Sequence, residues 1–189
     1  MTALIWINGV QSEQIAVMDR GLQYGDGVWE TVQIKHHQAQ FWSAHLVRLQ
    51  QGLQRLAIPF GETDLLLLER TVQRCLAIKA TGVLKIIVTR GIGGRGYQPS
   101  LLAAPQHIVS WHPLPDYPAS YQRQGVDVML CETRLGHQPQ LAGFKHLNRL
   151  EQVLARREVV APFAEGIVRD YNDRIIEGSM SNLFIVTDH

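Results

Sequence analysis

The stretch LAGFKHLNRLEQ at residues 141–152, followed by IIEGSMSNLF at residues 175–184, decides how this chain is read. The first sets one lysine, Lys145, beside a glycine and an aromatic residue. The second sets one glutamate, Glu177, at the head of a Gly/Ser turn. A lysine becomes a useful amine nucleophile only where its surroundings lower its pKa and hold it still. Taken alone, Lys145 would be an ordinary solvated loop lysine and Glu177 a turn carboxylate.

Three further segments stand upstream: MDRGLQYGDGVWET at residues 18–31, SAHLVRLQQGLQRL at 43–56 and LKIIVTRGIGGRGY at 84–97. In this order the five pieces resemble the fold-type IV pyridoxal-phosphate enzymes, from about Ile5 to the last residue. Within that group, GGRGY at residues 93–97 and LAGFKHLNRLEQ are similar to the branch of lyases acting on 4-amino-4-deoxychorismate, more than to the aminotransferases. The resemblance implies pyridoxal 5'-phosphate as cofactor, a homodimer, and a small-molecule reaction that releases 4-aminobenzoate and pyruvate. An aminotransferase of D-amino or branched-chain amino acids, and an inactive fragment, are the alternatives.

Bulk properties agree with a globular cytoplasmic enzyme. The 189 residues bury a sizeable core, and a net charge of +1 with interspersed signs offers no basic stripe for nucleic acid. The apolar runs are too short to span a membrane, and the N-terminus lacks the pattern of a secretory signal. Cys75 and Cys131 sit in apolar patterns and read as buried free thiols.

Periodicity gives the organisation. Residues 4–8 alternate like a strand and Asn8-Gly9 is a hairpin turn. An apolar strand follows at 28–34. Leu46, Leu49, Leu53 and Leu56 recur at helical spacing behind Ser43 as N-cap. A second helix is expected over residues 64–80, ended by Gly82, then strands at 83–90 and 107–112. Three prolines in PLPDYPAS, residues 113–120, read as a linker. Beyond it lie a strand at 126–132, an amphipathic helix at 147–160, and short strands at 166–170, 174–176 and 183–186. The expected fold class is α+β in two domains: an N-terminal α/β sandwich (residues 1–113), a linker (114–121), and the start of a β-rich, barrel-like cofactor domain (122–189). The family continues for about one further small domain, so the chain reads as C-terminally truncated.

The resemblance also assigns residues. Lys145 is the catalytic and cofactor-bonded lysine. Glu177 meets the pyridine nitrogen, and Ser181 and Asn182 line the cofactor or hold its turn. Arg48, on the helix face opposite the leucines, reaches the phosphate, where a planar guanidinium suits planar oxygens. Arg149, four residues after the lysine, lines the cofactor. Tyr24, Thr31, Arg90, Arg95 and Tyr97 are weaker substrate candidates: Arg90 at the end of a buried strand, in a position that lines the active site in the family, and Arg95 and Tyr97 in the glycine-rich loop, where a dianionic substrate asks for cationic partners.

Two literal matches are set aside. GIGGRG at residues 91–96 fits a dinucleotide fingerprint, but Tyr97-Gln98-Pro99 follows where a helix is needed. The histidines lack the spacing of metal ligands, and Asp19 and Asp26 read as turn formers.

Overall fold

The structure, a computed structural model, describes residues 4–100 and 103–187. The chain divides into two compact units, Met1–Pro115 with Gly143–Asn148, and Asp116–Ala142 with Arg149–His189. The break falls inside the proline-rich segment. The lysine-bearing piece, however, packs with the first unit and not with its own sequence neighbours.

In the first unit the elements are β1 (Leu4–Ile7), β2 (Val10–Gln11), α1 (Arg20–Tyr24), β3 (Gly27–Lys35), β4 (Gln38–Ala39), α2 (Trp42–Arg55), α3 (Glu62–Ile78), β5 (Thr81–Thr89) and β6 (Gln106–His112). The strands form one antiparallel sheet in the order β2-β1-β6-β5-β3-β4. Asn8 and Gly9, both at positive φ, make the tight turn between β1 and β2. Along β3 the side chains alternate: Val28, Glu30, Val32 and Ile34 are buried, while Thr31, Gln33 and Lys35 are exposed. On this sheet face α2 packs against β3 with Leu49 and Leu53 buried, and α3 packs against β6 with Leu68, Val72 and Cys75 buried, spaced one helical turn apart. The expected sandwich of helices on one sheet face is therefore present.

Element ends differ from the sequence expectations for local reasons. Ser43 is not the N-cap of α2: Phe41 takes that position in the left-handed region, with no side-chain cap, and the helix begins at Trp42. Asp64 does not open α3 but lies inside its first turn, its carboxylate reaching back to accept from the Gly61 N–H at 2.8 Å. Gly91 to Ser100 contains no helix, as the rejection of a dinucleotide site requires.

The second unit holds α4 (Ser120–Gln124), β7 (Val128–Leu135), α5 (Leu150–Glu158), β8 (Glu165–Asp170) and β9 (Ile175–Gly178). Its sheet runs β7-β8-β9, parallel then antiparallel. Cys131, Ala155 and Val168 form its small core, with Leu135 and Val159 packed alongside. Leu183 to Val186, expected as a strand, pairs with nothing among the described residues, and Phe184, Ile185 and Val186 are exposed. A strand exists only through the backbone bonds of a neighbour, so an apolar run alone does not make one. Cys75 and Cys131 are buried free thiols, and burial pushes Cys75 up to about 11. No helix among the described residues is long and apolar enough to cross a membrane.

Candidate active site

The edge of β3 not taken by β5 holds the lysine. Gly143, at φ 89°, turns the chain in a way that only glycine adopts without strain. Phe144 then packs to 8 % exposure on the helix side, close enough to α2 that a Cβ on Gly52 would stand 3.0 Å from its ring. The next residue faces the other way. Its backbone is held to β3 by Trp29 N–H to Lys145 C=O (2.8 Å) and Leu147 N–H to Gly27 C=O (3.0 Å), with Val28 and His146 bridged between them. Trp29 also donates its indole Nε1–H to the His146 carbonyl at 3.0 Å. The Lys145 Nζ lies 4.5 Å from the Trp29 ring centroid, a cation–π distance. An amine so tethered by its backbone and backed by an indole has a restricted reach, which a nucleophile needs. The expected helix at 147–160 accordingly starts only at Leu150, because Leu147 belongs to this strap.

On the inward face of the same strand, Glu30 is 1 % exposed. It accepts from Arg48 Nε and Nη2, both at 2.6 Å, and stands 2.8 Å from His45 Nδ1. The sequence placed Arg48 away from the core; instead α2 turns it onto the sheet, since a buried carboxylate demands a charged partner. Glu30 in turn raises the Arg48 pKa by accepting these bonds. The Arg48 side chain keeps 39 % exposure, and its Nη1 is not among the donors to Glu30. That leaves an outward N–H edge suited to an oxyanion.

Glu30 was missed in the sequence, though a signal was there. An acid between Val28 and Val32 on an alternating strand points inward, where it cannot be unpaired.

Arg90 is a correction. It is 5 % exposed and donates to Asp26 from Nε (2.7 Å) and Nη2 (3.1 Å), and to the carbonyls of Leu56 (2.6 Å) and Ala57 (2.8 Å). A guanidinium spent on four bonds inside the fold does not meet a substrate carboxylate. Asp26 and Asp19 are likewise more than turn formers. Asp26 also accepts from Arg20 Nε at 2.9 Å. Burial works to raise its pKa, and the bonds from Arg90 and Arg20 outweigh it, holding the carboxyl below its ordinary range. Asp19 caps α1 through the Gly21 and Leu22 N–H groups and accepts from Thr89 Oγ1 at 2.7 Å.

Arg20, another residue the sequence left out, anchors the glycine-rich loop. Its Nη1 and Nη2 donate to the carbonyls of Gly96 (3.0 Å) and Tyr97 (2.7 Å). The Tyr24 ring sits 4.9 Å below its guanidinium carbon and 5.4 Å edge-on from Tyr97. Tyr24 and Tyr97 thus come together, and Arg95, just before the anchored Gly96, is exposed. Thr31 is exposed on the Trp29 face of β3, opposite Lys85 in register.

Within the second unit, Glu177 on β9 accepts from Gln152 Nε2 of α5 at 3.0 Å. Arg149, at the N-cap of the same helix, has its pKa lowered by burial, with Glu177 and Glu151 opposing. Ser179 and Ser181 both donate to Glu165, the second at 2.7 Å, and the Gly166 N–H adds a 2.7 Å bond. Burial tends to raise the Glu165 pKa, and these donors lower it on balance. Glu165 therefore fixes the turn after Glu177, while Asn182 is exposed. The first unit thus carries a tethered amine and an oriented guanidinium, and the second, by itself, a carboxylate held by Gln152.

The chain belongs to the class IV aminotransferase family, whose pattern matches residues 27–189. It is 39 % identical over 186 residues to an aminodeoxychorismate lyase of Vibrio harveyi, covering 98 % of this chain and 68 % of that protein. The crystal structure of 4-amino-4-deoxychorismate lyase from Pseudomonas aeruginosa superposes at a TM-score of 0.87 with 46 % identity, over 94 % of this chain and 65 % of the other. The Escherichia coli branched-chain amino acid aminotransferase shares the fold at a TM-score of 0.79 and 24 % identity, over 95 % of this chain and 63 % of its own. The chain thus spans about two thirds of the length of these relatives.

Proposed function

We propose that this chain forms the larger part of a pyridoxal-phosphate-dependent lyase that converts 4-amino-4-deoxychorismate to 4-aminobenzoate and pyruvate, a step towards folate. The observation that carries this reading is the Lys145 strap on β3, with its amine over Trp29, in a chain 46 % identical to the Pseudomonas aeruginosa lyase. A cytoplasmic homodimer is part of the same proposal.

When bound, the cofactor supplies an electron sink for the charge left as a substrate bond breaks. The protein's part is positional. Lys145 Nζ would hold the cofactor, and the same amine would take the proton from the substrate's amine-bearing ring carbon. Arg48 binds the phosphate through its outward edge. Glu177, held by Gln152, is the carboxylate for a protonated pyridine nitrogen. Arg149, Ser181 and Asn182 are the remaining cofactor-side residues, and Tyr24, Thr31, Arg95 and Tyr97 the substrate-side ones. Aromatisation of the product favours the reaction, so orientation and one proton transfer are what the fold must provide.

Borohydride trapping of the protein with added pyridoxal phosphate, beside Lys145→Ala, tests the lysine: a reduced adduct must map to Lys145 and vanish in the variant. Substrate then decides the class. Release of 4-aminobenzoate supports the lyase, whereas sustained glutamate formation from D-alanine and 2-oxoglutarate means an aminotransferase.

A further inference from the structure

We infer that Glu30 is a positioning residue, whose buried carboxylate sets the Arg48 guanidinium for a phosphate monoester dianion without itself touching it. The inference rests on Arg48 being the phosphate ligand in the reading above. Glu30 is 1 % exposed and takes Arg48 in a fork, Nε to Oε1 and Nη2 to Oε2, both 2.6 Å. Two parallel bonds between planar groups fix the plane and rotation of the guanidinium, where one bond would fix neither. His45 lies one helical turn earlier on α2, with its Nδ1 2.8 Å from the same Oε2, and steadies the carboxylate from a second side. The sheet supports the other end: Glu30 sits in β3 between the buried Val28 and Val32, paired in register with Ile86 of β5. A long, flexible arginine is thereby locked with its unused edge directed outward at 39 % side-chain exposure.

Charge and orientation act here with opposite signs. As a nearby anion, Glu30 weakens the attraction of Arg48 for a phosphate. As a template, it presents two N–H groups in one fixed plane, the geometry that a phosphate accepts. Glutamine removes the anion and, carrying an NH2 of its own, cannot accept the fork. If orientation governs, Glu30→Gln weakens phosphate recognition; if charge alone matters, the same change strengthens it.

The test compares dissociation constants for pyridoxal phosphate and unphosphorylated pyridoxal in the full-length protein, by titration calorimetry, for wild type, Arg48→Ala, Glu30→Gln and Glu30→Asp. The readout is the preference ratio of the two ligands, which a general loss of stability does not move. Aspartate keeps the charge but is too short for the fork, and stands in should the glutamine variant not fold. Arg48→Ala, and either Glu30 variant, should each cut the preference about tenfold or more, the scale of one charge-assisted hydrogen bond. A preference in the Glu30 variants that equals or exceeds the wild type, while Arg48→Ala loses it, overturns the role of Glu30. A preference that survives Arg48→Ala overturns the phosphate assignment and this inference with it.

Discussion

The backbone N–H of Trp29 donates to the carbonyl of Lys145 at 2.8 Å, joining residues 116 positions apart, 145 − 29, in one ladder. The position of the amine is therefore a property of β3 and of the close approach that Gly27 permits. A Cβ on Gly27 would stand 2.5 Å from the Val88 carbonyl and 2.7 Å from Leu147 Cδ1. Gly27→Ala should cost about 1–3 kcal/mol, as overpacking does, and lower the yield of Lys145 trapped with pyridoxal phosphate. Thermal melting and peptide mapping read the two effects, and an unchanged yield would mean that the strap does not place the lysine.

Arg20 should prove to be the tether of the glycine-rich loop. Arg20→Ala removes its bonds to Asp26, Gly96 and Tyr97 and leaves Asp26 with Arg90 alone. The expected loss is about 2–4 kcal/mol, near the lower range for breaking a buried pair. Limited proteolysis should show new cleavage between Gly93 and Tyr97, and full protection of that segment in the variant would argue against a tether.

The Asp26 node carries a pH signature. Because the folded carboxyl titrates below its ordinary range, its contribution to stability is complete above an unfolded value of about 3.9 and is lost as pH falls through the lower folded value. Urea titrations of wild type and Asp26→Asn should give a constant stability gap from neutrality to about pH 4.5, narrowing below about pH 4. A gap that stays flat to about pH 2.5 is incompatible with a depressed Asp26.

Glu165 is predicted to hold the turn that follows Glu177. Glu165→Gln weakens acceptance from Ser179, Ser181 and the Gly166 N–H, with an expected cost of about 1.5–3 kcal/mol for bonds to a charged group. Hydrogen exchange at residues 178–182 should quicken more than at β7. Equal protection of both segments would leave Glu165 no special role in that turn.

Much of the fold was legible because it is periodic. The alternation of residues 28–34 and the leucine spacing of α2 place their own buried faces, and Asn8-Gly9 names its turn. Ends were less legible. Asp64 acts from inside the first turn of α3, and α2 begins through the left-handed Phe41, a conformation its residue type does not advertise. Leu183 to Val186 has the composition of a strand, yet composition cannot provide a neighbour.

The chemistry divides the same way. Sequence alone determined which functional groups exist and in what local company: a lysine beside Gly143 and Phe144, a glutamate before a serine turn, an arginine one turn from His45. Tertiary structure decided which of them are spent. Arg90 and Arg48 look alike in the sequence, but Asp26 and two carbonyls consume the first, while Glu30 takes one edge of the second and leaves the other outward. A guanidinium's availability depends on acceptors brought from distant positions, and only the folded sheet settles where those acceptors lie.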